Sequence, residues 1–78
     1  MCVMVNVTVA LKTFDNINEI IEELSHLGFE YDEEFGYMEI IGDPSIRVIL
    51  IGRMPKEKTR LAEMMVEGVS YIHHEDLY

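Results

Sequence analysis

From Val3 to Leu11 every second residue is aliphatic, with Val3, Val5, Val7, Val9 and Leu11 alternating with Cys2, Met4, Asn6, Thr8 and Ala10. A period of two in β-branched residues puts the first set on one face of a strand. That strand needs partner strands and a covering layer to bury its apolar side, and a chain of 78 residues has room for one such core. No Gly/Ser/Pro linker and no internal repeat divides the chain, so the expected unit is a single domain over residues 1–78. At 49% hydrophobic residues the composition offsets chain entropy well enough to fold.

Helical spacing follows. Ile17, Ile20, Ile21, Leu24 and Leu27 recur on one side, with Glu19, Glu22, Glu23 and His26 on the other, and Gly28 suits the left-handed position past a helix end. The spacing predicts a helix from residue 15 or 16 to 27, opened by a capping box in which Asn16 is followed three residues later by Glu19. Residues 29–32 and 37–41 read as short strands with a hairpin around Gly36. The turn cluster Gly42, Asp43, Pro44 and Ser45 leads to residues 46–51, an apolar run that reads as a central strand buried on both faces. Pro55 suits the first position of a second helix ending near Glu67, with Leu61, Met64, Met65 and Gly68 as its inward stripe. Residues 69–74 read as the last strand.

The order β-α-β(β)-β-α-β predicts an α+β two-layer sandwich, with two helices on one face of a mainly antiparallel sheet. It resembles the ferredoxin-like, or split β-α-β, arrangement, or a close variant with an extra hairpin. That architecture hosts transport, regulatory, RNA-binding and catalytic proteins alike, so it carries no activity by itself.

Charge placement is the most informative functional signal. Six Lys and Arg stand against 15 Asp and Glu, a net charge of -9, yet four of the six lie between Arg53 and Arg60 with only Glu57 opposing them. Cations in the first turns of a helix repel its positive end, so this placement is locally unfavourable, and local rules are often broken at functional sites. Gly52, Arg53 and Met54 read as a loop leading into the second helix. Its free N–H groups, with Gly52, Arg53, Lys56, Lys58 and Arg60, are the candidate site for a phosphate or carboxylate. The bland alternative is that these cations balance the acidic first helix or a neighbouring subunit.

His73, His74, Glu75 and Asp76 supply metal-ligand types, and alternation along a strand makes His73 with Glu75 the candidate metal pair. Two ligands are half a site, and no CxxC or HxxxH spacing supports them. Asp32, Glu33 and Glu34 lack the order of a calcium loop and read as a solvated acidic turn. Ser25, Ser45 and Ser70 lack a nucleophile-elbow context, and Cys2 has no basic residue close in sequence to lower its pKa. Neither a Walker A nor a GxGxxG pattern occurs, so no cofactor is assigned.

The expected function is a non-catalytic binding or regulatory module with a small anionic ligand, or an acidic protein segment, at residues 52–60. The alternative is a small enzyme or metal-dependent protein using the C-terminal His and acidic residues. The acidic balance argues against nucleic acid and anionic membranes. The single Cys and the short N-terminal apolar run predict a cytoplasmic protein without a membrane span. Cys2, Met4, Asn6, Thr8 and Ala10 leave the second face of the first strand without charge, and Ile49 and Ile51 do the same beside Arg47. Two helices cover only one face of a sheet, so the sequence predicts a homodimer through a sheet face or edge.

Overall fold

The computed structural model describes residues 3–75, so expectations for Cys2 and Asp76 lie outside the described residues. β1 (Met4–Leu11) sits between two antiparallel neighbours, β4 (Val48–Pro55) and β5 (Val69–Glu75). Val5, Val7, Val9 and Leu11 are all buried, and the register sets them opposite Met54, Gly52, Leu50 and Val48 on the same face. This face is covered by Ile20 and Leu24 of α1 (Ile17–His26), by Ala62 of α2 (Thr59–Met65) and by Val66 just beyond it. The result is an α+β arrangement of five antiparallel strands and two helices, whose helices share one hydrophobic cluster with one side of the sheet.

β2 (Glu30–Tyr31) and β3 (Tyr37–Glu39) correct the expected hairpin around Gly36. They do not pair with each other. Both lie along the same edge of β4, with Glu30 opposite Arg53, Tyr31 opposite Gly52 and Tyr37 opposite Leu50. Residues 32–36 therefore loop out of a single interrupted strand, anchored where the Asp32 N–H donates to the Ile51 carbonyl at 2.9 Å. Asp32 also accepts from the Glu34 N–H at 3.0 Å, closing an Asx turn that a sequence pattern cannot tell from a hairpin. The hairpin at residues 42–45 does form between β3 and β4, closed by the Ser45 hydroxyl donating to Asp43 at 2.7 Å.

β4 corrects the expected loop at residues 52–54. Val48, Leu50, Gly52 and Met54 continue the core-facing alternation through the glycine, so the strand runs on to Pro55. Gly52 is required by a close approach rather than by a turn. A Cβ there would collide with the Glu30 carbonyl oxygen and come within 2.6 Å of the Phe29 ring. Nor is the strand buried on both sides, since Ile49 and Ile51 are only half-buried and Arg53 is exposed.

Pro55 is extended, at φ -58 and ψ 128, and is followed by a 3-10 turn over Lys56–Lys58 before α2 begins at Thr59. The inward stripe is accordingly Thr59, Ala62 and Val66, while Met64 and Met65 are 79% and 68% exposed. The longer β4 delivers the chain to the helix four residues later, which rotates the face that meets the sheet. At α1, Asn16 takes the N-cap position with φ 62 and no side-chain capping bond. A reciprocal capping box needs extended φ/ψ at that residue. Asn tolerates the left-handed conformation, and its carbonyl accepts the Ile20 N–H at 2.9 Å.

β5 is an edge strand with one guard. The Glu63 carboxylate accepts the Ile72 N–H at 2.7 Å, occupying an outward donor that another strand would need. Among the described residues no helix is long and apolar enough to cross a membrane. Gly52→Ala is expected to lower the urea-unfolding free energy by about 1–3 kcal/mol through overpacking. Glu63→Ala is expected to cost about 1 kcal/mol in the same measurement, through loss of one charge-assisted hydrogen bond.

Candidate functional site

Alternation puts the even residues of β1 and the odd residues of β4 and β5 on the face that the helices leave uncovered. The register orders them in rows. Glu30, Arg53, Asn6 and Glu75 form the first row. Ile51, Thr8 and His73 form the second, and Met38, Ile49, Ala10 and Tyr71 the third. Where β2 breaks off, the looped-out residues 32–36 stand beside the first two rows. They border an open cleft of about 790 Å³, within the size range of small-molecule sites.

The floor of the cleft is formed by Asn6, Thr8, Ile51 and Arg53, and its wall by Glu30, Tyr31, Asp32, Glu33, Glu34 and Phe35. Arg53 is exposed, and among the described residues it makes no ion pair. Phe35 is 63% exposed at the rim. Tyr31, tilted against Phe29 with ring centroids 6.3 Å apart, is half-buried between core and cleft. Burial pushes its phenol above the ordinary value of 10, and the neighbouring charges of Glu33, Tyr37 and Asp32 add to the effect.

Of the expected anion site, Gly52 and Arg53 line this cleft, while Lys56, Lys58 and Arg60 lie past the end of β4 on the 3-10 turn and α2. The helix start expected at Pro55 is absent. The Thr59 hydroxyl donates to the Lys56 carbonyl at 2.9 Å, and the seven-residue α2 opens without a side-chain cap. His73 is exposed opposite Thr8 and His74 half-buried opposite Val7, so the two histidines project to opposite faces, and the expected pairing of His73 with Glu75 lies outside the described side chains. Among the described residues no group of three His, Cys, Asp or Glu side chains is placed to hold a metal ion.

Sequence reasoning missed Asn6, Thr8, Ile51 and Glu30 as parts of the site. The signal lay in the alternation of residues 49, 51 and 53, which continues through Gly52 and puts Arg53 on the same face as the polar positions of the first strand. Among the described residues the cleft lining contains no His, Cys or Ser. What it can do is hold a ligand by charge, by hydrogen bonds from Asn6 and Thr8, and by apolar contact with Ile51 and Phe35. In comparisons with known proteins, no family model, no curated protein and no solved structure matches the chain.

Tyr31 offers a readout of the cleft. Its folded pKa is raised, so its contribution to stability is complete below the unfolded value near 10 and is lost as pH rises through the folded value. Absorbance titration of the phenolates should contain a component above the free-tyrosine range, and Tyr31→Phe should remove it.

Proposed function

We propose that this protein is a non-catalytic binding module whose ligand presents an anionic group to Arg53 in the cleft of the uncovered sheet face. The observation that carries this reading is the Arg53 guanidinium on the cleft floor, without an ion pair among the described residues. An arginine so placed can take a carboxylate or phosphate through two parallel hydrogen bonds. Lys56, Lys58 and Arg60 follow it in the chain and add positive potential at that end of β4.

Asp32, Glu33 and Glu34 line the same cleft. A purely anionic ligand is repelled there, whereas one that also carries an ammonium group is favoured at both ends. The ligand class is therefore a small zwitterion, with its carboxylate at Arg53 and its cation at the acidic wall. The fold reading that accompanies this is a ferredoxin-like variant. Its support is the strand order in which β2 and β3, counted as one interrupted strand, lie beside β4, then β1, then β5. The single cysteine supports a reducing compartment such as the cytoplasm.

Thermal unfolding against free α-amino acids, acetate, inorganic phosphate, ammonium and zinc tests the reading. A ligand at 100 times its Kd adds about 2.7 kcal/mol to the native state. The amino acids should raise the midpoint more than acetate or ammonium alone, and Arg53→Ala should abolish the rise. If Lys58→Ala and Arg60→Ala abolish it while Arg53→Ala does not, the site belongs to the turn and α2 instead. A midpoint that responds to zinc alone replaces the binding module with a metal-dependent protein.

A further inference from the structure

The lining of the cleft is unequal in charge. It holds four carboxylates, Glu30, Asp32, Glu33 and Glu34, against one guanidinium, Arg53, and among the described residues it contains no Lys or His. Lys56, Lys58 and Arg60 lie outside it, on the 3-10 turn and α2. A simple zwitterion brings one cation and one anion, so it leaves most of that negative charge unanswered. Such a site attracts a ligand of net positive charge.

We infer that the ligand is a free basic α-amino acid, in which an aliphatic stem joins the α-ammonium and α-carboxylate to a second cation, as in lysine. The inference rests on the ligand reading above and names its substrate class. Glu30 and Arg53 are directly opposite each other across β2 and β4. Both are exposed, and neither makes an ion pair among the described residues. Two opposite charges side by side, and not joined to each other, match the adjacent ammonium and carboxylate of an α-amino acid head group.

The rest of the cleft suits the stem and its far end. Ile51 is the neighbour of Arg53 on the same face of β4, about 6–7 Å along the strand, a distance that a four-carbon stem ending in an ammonium spans. Ile51 is half-buried and Phe35 at the rim is 63% exposed, so the stem has apolar surface to lie on. Asp32 turns its carboxylate back to the Glu34 N–H at 3.0 Å, which leaves the exposed Glu33 and Glu34 side chains for the second cation. After burial, the Glu33 charge is the chief cause of the raised Tyr31 phenol, so its field reaches into the cleft.

Isothermal titration calorimetry at neutral pH and low salt, with lysine, norleucine, cadaverine and glycine, separates this inference from the reading beneath it. Norleucine has a lysine-like stem without the second cation, and cadaverine has both cations without the carboxylate. Lysine should bind about fivefold more tightly than norleucine, and norleucine more tightly than glycine. Glu33→Gln combined with Glu34→Gln should erase the preference for lysine over norleucine. Both side chains are exposed and the Asx turn uses only the Glu34 backbone, so circular dichroism should show the fold kept. If lysine and norleucine bind equally, or the preference survives the double change, the inference is overturned while the ligand reading stands. If cadaverine binds as tightly as lysine, or Arg53→Ala leaves lysine binding unaltered, the anion site at Arg53 is overturned and the inference with it. No heat of binding from any amino acid up to about 10 mM overturns both.

Discussion

The antiparallel ladder between β1 and β4 is the constraint on which the rest of the molecule depends. It aligns Val5, Val7, Val9 and Leu11 with Met54, Gly52, Leu50 and Val48, so two apolar stripes far apart in sequence become one continuous surface. A slip of one residue would turn each stripe to the opposite face, so the hydrophobic pattern itself holds the register. Both helices follow from this surface. α1 and α2 are short, at 10 and 7 residues, and helices of that length persist through their packing rather than their propensity.

Gly52 links that core to the cleft. Its missing side chain lets Phe29 and the Glu30 backbone lie against β4, which brings β2 into the sheet and sets where the edge strand breaks. The break matters more than the strand it interrupts. Residues 32–36 oppose Ile51 alone, so the chain must leave the sheet plane, and it does so on an Asx turn built by Asp32. An acidic segment that would otherwise be a solvated turn becomes the wall of a cavity whose floor carries Arg53.

The helices leave this face uncovered, and the proposed ligand site lies on it. The cleft takes Thr8 and Ile51 of the second row into its floor, where the edge strand is interrupted, and Met38, Ile49, Ala10 and Tyr71 occupy the other end. Glu63, reaching from α2 to the Ile72 N–H, blunts the β5 edge.

Local pattern alone determined the elements whose periodicity is long. The alternation of residues 3–11, the helical stripe from Ile17 to Leu27 and the final strand are each legible because many residues repeat one period. The apolar rows of the uncovered face were visible too, in the uncharged second set of the first strand and in Ile49 and Ile51. Tertiary structure alone decided the rest. Gly52 and Pro55 are punctuation in a sequence, yet here one is a packing contact and the other ends a strand, because Phe29 and Val3 to Val5 lie beside them in space and not in the chain. Arg53 is legible as a candidate site residue, but the pattern places it on a loop before a helix start at Pro55, where the structure has a strand. The strand that carries it is prolonged by pairing with β1, and long-range pairing leaves no local signature beyond the alternation it preserves.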